Sequence, residues 1–511
     1  MRKKITYLIA AILLSFIQFV RTTQYEGAFL PAVNLTGIAM MLIIFSIIPR
    51  KKIFNIPNYI YTGVCCAAMI ATYIYWRSTR SFLILHYETV ILNVWWLGIA
   101  LRYLFDYVFL QQNGKIKIGV AGILWLVFTA LTVIGPSGKW WPLWFFLMFG
   151  TYYILPFSKE DLKDLYDQLM NGTIISFFLL QGFAYLFRPY DDIRYSGAFV
   201  NCNDMALYYL IVYVMILTKL HLFHVRKDKL WKKIVFFLGA GAMLSFQFVT
   251  LGRTAWVASF VITIGYGIVV VIIKWKDNIG RTLLRGVSLL LCMALMFPIV
   301  FLSIRYLPTV HPHPIWFQDE YSEAKVHSWD PRDSEKYTDM GELLDAALGR
   351  FSMVFDFFEK KAGISTDSYG AEADVTRVNV DIVTDNWETD SISARVNIYK
   401  GYLENSTWLG RNENTYQLYY GDSDRRMWHA QNLWLQAIFN FGYIAGAILL
   451  VLTVWILIIR FKCVIKSDNP YNVLALLLTL VFFIYGMMEL VWLPGLIVMT
   501  LFFLMQKKLP E

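Results

Sequence analysis

Apolar runs of about 16 to 25 residues recur along most of this chain, and each is long enough to cross the hydrocarbon of a bilayer as one helix. A sequence with that pattern has few folds open to it. Of its 511 residues only 16% are charged and 57% are AVILMFWYC, against about 25% charged in soluble domains. A water-soluble enzyme, a disordered scaffold and a nucleic-acid-binding protein are all disfavoured. The expected fold class is an all-α polytopic membrane protein.

Fourteen runs can be read as transmembrane helices, starting near Ile5, Leu30, Tyr59, Phe82, Ile116, Trp141, Thr173, Asp204, Ile234, Thr254, Leu284, Leu433, Tyr471 and Leu490. One long interruption lies between the eleventh and twelfth. The chain therefore divides into residues 1–304 (helices 1–11), a loop domain at 305–430 expected to be mostly helical, and residues 431–511 (helices 12–14).

The net charge of +9 hides a division. Arg305 to Arg426 carries 13 Lys+Arg and 22 Asp+Glu, so the rest carries 33 and 15 and is strongly basic. Alternating the connections from an inside amino terminus (Arg2, Lys3, Lys4) puts 26 Lys+Arg inside and 7 in short outside loops, with 13 in the acidic segment. The positive-inside rule favours this arrangement, which places both termini in the cytoplasm and the loop domain outside. Basicity of this kind belongs to membrane loops and does not call for nucleic acid. The first run could be a signal peptide, but Val20-Arg21-Thr22-Thr23 lacks small residues at cleavage spacing, so an uncleaved helix is expected. The cysteines (Cys65, Cys66, Cys202, Cys292, Cys463) show neither a disulfide framework nor metal-ligand spacing.

Within the loop domain, Asp339 and Glu342 fit a helix start. Leu343, Leu344, Ala347, Leu348, Phe351, Val354, Phe355 and Phe358 follow at helical spacing up to Gly363. Such an amphipathic helix packs on the bundle or lies in the interface, and packing is the expectation. Val378, Val380 and Ile382 alternate as a strand would, and Ile392 to Leu403 reads as a further helix.

Three polar stretches stand at outside membrane boundaries: Arg194 to Asn203, Leu251 to Trp256, and Trp428 to Gln436. Arg253 sits in a short turn between two apolar helices. It either snorkels to headgroups or clamps an anion, and a guanidinium suits lipid phosphate or pyrophosphate. His429 is either a hydrogen-bonded structural residue or a group that accepts a proton from, or orients, a sugar hydroxyl. His311-Pro312-His313-Pro314 reads as a stiff exit from a span, and Asp422-Ser423-Asp424 as a solvated charge cluster, so no metal site is expected.

At these residues the sequence resembles the O-antigen ligase and O-antigen polymerase family of envelope glycosyltransferases. The resemblance rests on Gly252-Arg253-Thr254-Ala255-Trp256, on Arg395-Val396-Asn397-Ile398-Tyr399, on the turn Leu409-Gly410-Arg411-Asn412, and on His429 to Gly446 with Gly442 about ten residues after Asn432. It implies a bacterial cytoplasmic-membrane enzyme that needs neither cofactor nor metal. The enzyme takes an undecaprenyl-pyrophosphate-linked oligosaccharide as donor and moves it to an acceptor glycan. A flippase and chain-length regulator proteins would be its partners. Carried over by position, Arg253 and Arg395 hold the pyrophosphate, Arg411 assists, His429 serves the acceptor, and Gln431, Asn432, Arg194 and Asn203 complete substrate binding. Two positions depart from the family pattern. Gln431 stands where the family histidine precedes the Asn, so either His429 reaches in from a shifted register or Gln431 orients the acceptor. Asn412 replaces the second Gly of the turn.

Polymerisation of repeat units is the first expectation. The alternatives are ligation to a lipid or wall acceptor and a lipid-linked oligosaccharide flippase. A transporter should carry ionisable groups at mid-membrane, whereas here polar groups gather at one boundary. A polyprenyl-phosphate-sugar transferase would need an acidic pair in the first outside loop, where only Glu26 stands.

Overall fold

The computed structural model describes residues 2–23, 29–79, 87–110, 119–137, 141–188, 190, 193–199, 201–310, 339–356, 376–380, 392–412, 415–420, 427, 429–467 and 469–488. Helices dominate. The amino-terminal ones are α1 (Arg2–Thr23), α2 (Phe29–Ile47), the single turn α3 (Arg50–Ile53), α4 (Ile56–Thr79), α5 (Tyr87–Phe105), α6 (Val120–Ile134), α7 (Trp141–Ile154) and α8 (Lys159–Phe187). Next come α9 (Cys202–Val225), α10 (Leu230–Val249), α11 (Arg253–Tyr266, continued as a π-helix to Lys274) and α12 (Ile279–Tyr306). The interruption holds α13 (Met340–Asp356), β1 (Thr376–Val380), α14 (Ile392–Glu404) and β2 (Tyr416–Tyr420). The chain then forms α15 (Leu433–Phe441), α16 (Tyr443–Lys466) and α17 (Tyr471–Gly486).

Seven of the described helices are long and apolar enough to cross a membrane: α4, α8, α9, α10, α11 with its π continuation, α12 and α16. Shorter apolar helices of 10–17 residues lie within α2, α6, α7 and α17. α9 is the axis of the bundle. It is apolar on all sides, as a helix enclosed by others must be, and 89% of its apolar window is buried, against 6% for α4. It packs against α10, α17, α11, α8 and α1. Outward-facing Leu, Ile and Val on α4, α10 and α12 remain exposed, as expected for surfaces whose solvent is lipid.

Two elements differ from the sequence expectation. The seventh run, read as starting at Thr173, begins at Lys159, because Ser158 caps the helix by accepting from the Asp161 N–H at 3.0 Å. That adds a charged first half to a 29-residue helix. The twelfth run, read as one span from Leu433, is broken: α15 ends at Gly442 and the spanning helix is α16. The strand expected at Val378 and Val380 forms as β1, which pairs in parallel with β2, Thr376 opposite Tyr416 and Val380 opposite Tyr420. The amphipathic helix forms as α13 and docks on the bundle through buried Leu343 and Ala347. The fourteenth run, Ile382, His311 to Pro314, Asp422 to Asp424, Trp428 and Glu26 lie outside the described residues.

The basic connections meet at one end of the bundle. Lys3 pairs with Asp161 at 2.9 Å and Lys4 with Asp164 at 3.1 Å, which joins the start of α1 to that of α8. Asp167 faces both Lys219 (3.6 Å) and Arg226 (3.5 Å) near the end of α9, and Arg226 donates to the Tyr471 hydroxyl at 2.9 Å. Lys274 donates to the carbonyls of Val464 (2.9 Å) and Ser467. Asp277 pairs with Arg285 at 2.8 Å. The Asn278 N–H and the Arg285 and Arg281 guanidiniums hold the Asp277 carboxyl below the usual carboxylate range.

The break between α15 and α16 is held by two facing glycines. Gly410 (φ +88°) and Gly442 (φ +93°) occupy the left-handed region, and a Cβ on either would run into the other strand of the contact, at Asn440 O and Trp408 O respectively. Arg411 N donates to Phe439 O at 2.7 Å and Tyr443 N to Thr407 O at 3.1 Å, locking the turn onto the break. Gly410→Ala is therefore expected to destabilise the protein by about 2 kcal/mol through backbone strain and collision. A thermal unfolding curve in detergent that matches wild type would show that the turn does not bear on the break.

Candidate functional site

The turn between α10 and α11 is built from Thr250, Leu251 and Gly252. The Thr250 hydroxyl donates to Gln247 O (2.7 Å) and accepts from Gly252 N (3.2 Å), while Leu251 N donates to Phe248 O (3.0 Å). Leu251 is buried and sits at φ +52°, a conformation costing a non-glycine residue about 1 kcal/mol. Trp256 stacks on Phe248 at 5.4 Å and donates to Gln247 O at 3.1 Å, so packing maintains the strained turn. Arg253 opens α11 at its positive end.

Two further arginines grip consecutive carbonyls of this turn. Arg194 donates through Nε to Thr250 O at 3.3 Å, and Arg350 of α13 donates through Nη1 to Leu251 O at 3.4 Å. Two guanidiniums thus hold the turn at residues 250 and 251, and Arg253 follows two residues on as the start of α11. Arg194 also donates to Asn203 Oδ1 at 2.6 Å, and Tyr195 N donates to Val249 O at 3.0 Å. The stretch before α9 is thereby fastened to the turn. Burial pushes the Tyr195 phenol up, so it stays a neutral partner of Gln181, which donates to it at 3.0 Å.

The end of α17 collects the remaining residues. Tyr485 donates to Asn203 O at 2.9 Å. Met487 O accepts from Tyr399 Oη (3.2 Å) and Asn432 Nδ2 (3.0 Å), and Met488 O lies 3.5 Å from Arg395 Nη1. Tyr399 Oη also lies 3.2 Å from Gln431 O. Asn432 is the cap of α15, its Oδ1 accepting from Trp434 N (3.0 Å) and Leu435 N (3.1 Å). Gln431, at φ +48°, turns its N–H back onto His429 Nδ1 at 3.2 Å. Behind it, Gln436 accepts from Ala430 N (2.7 Å) and donates to Asn440 (3.1 Å).

Arg194, Asn203, Arg253, Arg395, His429, Gln431 and Asn432 therefore belong to one connected end of the bundle, away from the Lys–Asp pairs. Arg411 does not join them. It lies over the Tyr416 ring at 4.1 Å and donates through Nε to Asn405 O at 3.1 Å. Its backbone is tied to Phe439, seven residues and about 10 Å along α15 from Asn432. Burial pushes the Tyr416 phenol up while Arg411 pulls it down, and Tyr416 donates to Asn405 Oδ1 at 2.7 Å. The arginine is a brace for the turn.

Arg350, Tyr399 and Tyr485 take roles that the motifs did not single out. For Arg350 the signal was present: it follows Leu343 and Ala347 at i+7 and i+3, placing a cation on the buried face of an amphipathic helix.

Asn432→Ala removes both the α15 cap and the tie to Met487 and is expected to cost about 1 to 2 kcal/mol. Asn432→Asp keeps an acceptor for the cap but cannot donate to Met487 O, so it should recover only part of that loss. Equal unfolding temperatures for the Asp variant and wild type would show that the Met487 tie contributes nothing. No family model, curated protein or solved structure matches this chain.

Proposed function

We propose that the protein is a polymerase of cell-surface polysaccharide, joining undecaprenyl-pyrophosphate-linked repeat units at the outer face of a bacterial cytoplasmic membrane. In this reading the chain spans the bilayer fourteen times with both termini inside. The 305–430 segment lies outside, and the enzyme belongs with the O-antigen ligases and polymerases it resembles. The observation that carries the proposal is the hold of Arg194 and Arg350 on the Thr250 and Leu251 carbonyls, just before Arg253, at the bundle end that also holds Arg395, Asn432 and His429. The opposite end carries the Lys–Asp pairs, which fits a cytoplasmic face.

The chemistry asks for such a site. As the anomeric carbon gains oxocarbenium character, the bond to the diphosphate breaks and negative charge grows on the departing oxygen. Preplaced guanidiniums stabilise that charge, most effectively where water is scarce. Arg194 and Arg350, held by backbone carbonyls, would present their positive charge with little reorganisation. Arg395 would meet the diphosphate from the loop side.

The test supplies a lipid-pyrophosphate repeat unit to membranes containing the protein and resolves the glycan products by length. Wild type is expected to give a ladder, Arg253→Ala to reduce it about a hundredfold, and Arg350→Ala to raise the donor concentration required by about tenfold. Unchanged ladders in both variants would remove the proposed site. Transfer of glycan to a lipid acceptor without a ladder would assign ligation instead, and glycan crossing the bilayer without elongation would assign transport.

A further inference from the structure

We propose that His429 acts through Nε2–H as a hydrogen-bond donor to an oxygen of the lipid diphosphate and not as the base that deprotonates the acceptor. This rests on the polymerase reading of the site. The structural basis is the contact between Gln431 N and His429 Nδ1 at 3.2 Å. A backbone amide can only donate, so Nδ1 must be the acceptor and carry no proton. In a neutral imidazole the proton then resides on Nε2. A protonated Nε2 cannot take a proton from a hydroxyl.

The contact is built into the chain path. Gln431 occupies the left-handed region at φ +48°, which an ordinary residue adopts only when its surroundings require it. Three neighbours hold it there. Tyr399 Oη lies 3.2 Å from Gln431 O, Asn432 starts α15 as its cap, and Ala430 N is fixed by Gln436 at 2.7 Å. The His429 ring thus closes a side-chain turn onto the amide two residues ahead, as an Asn side chain does in an Asx turn. The tautomer follows from the turn.

Tyr399 touches both Gln431 O and Met487 O, and Arg395 reaches the adjacent Met488 O, so the Gln431 backbone that receives the His429 ring is tied to the same helix end as a cation that suits an anionic group. A neutral Nε2–H is useful where negative charge accumulates, which is the departing diphosphate. In the transfer, the acceptor oxygen bonds to the anomeric carbon as the bond from that carbon to the phosphate oxygen breaks, its electron pair leaving with the diphosphate. The hydroxyl proton passes to the diphosphate oxygen so released, and His429 donates a hydrogen bond to that group without exchanging its proton.

Two measurements on the full-length protein test this. Histidine labelled with nitrogen-15 in lipid-reconstituted protein, assigned by comparison with His429→Ala, should show His429 with bare Nδ1 and protonated Nε2. This spectrum decides the tautomer whether or not glycan is elongated, so failure of the polymerase reading shows separately as an absent wild-type ladder. In the elongation assay His429→Ala should lower product about a hundredfold. A glutamine amide can donate a hydrogen bond but cannot act as a base near neutral pH. His429→Gln, whose amide reaches the Nε2 position, should therefore recover at least about tenfold of the loss. His429→Asn, which restores only the turn acceptor, should not. A protonated Nδ1, or a folded His429→Gln no more active than His429→Ala, would overturn the proposal.

Discussion

A helix leaves its last carbonyls without partners, and close to a bilayer there is little water to satisfy them. The end of α17 meets this constraint with donors from elsewhere in the chain: Tyr399 and Asn432 on Met487 O, Arg395 on Met488 O. Because those donors belong to α14 and to the cap of α15, satisfying one helix end fixes the loop segment onto the bundle. The same contacts set the path of Gln431 and, through its amide, the ring of His429. Polar residues far apart in sequence are assembled by a backbone requirement.

The two ends of the bundle use their cations differently. At one end Lys3, Lys4, Lys219 and Arg226 face Asp161, Asp164 and Asp167, contacts that cancel charge while tying helices together. At the other, Arg194, Arg350 and Arg395 donate to carbonyl or amide oxygens. The first set of contacts ties helices together through paired charges, the second through backbone and amide oxygens.

Much of this architecture was legible in the sequence because apolar length and helical spacing are local properties. Helices cover the described parts of the apolar runs, and the amphipathic face at Leu343 and Ala347 faces the core as its spacing requires. The three polar stretches were also readable as neighbours, since each stands at a helix boundary and alternating helix directions bring those boundaries to one end of the bundle. Contacts between distant segments were hidden. Nothing near Arg350 announces the carbonyl of Leu251, 99 residues earlier, and nothing near Arg411 announces its partner ring at Tyr416 rather than a phosphate. The break at Gly442 was missed because apolar residues continue on both sides. It becomes intelligible only once Gly410 is seen to press against it.

The parallel direction of β1 and β2 bears on Arg395. Strands running the same way cannot be joined by a tight hairpin, so the polypeptide needs a return path about as long as the ladder. Five paired residues cover about 17 Å and the 13 residues of α14 cover about 20 Å, so the helix is long enough to provide it. The ladder thereby closes the stretch that contains α14 into a loop, so the segment bearing Arg395 is tethered at both of its ends to the same pair of strands.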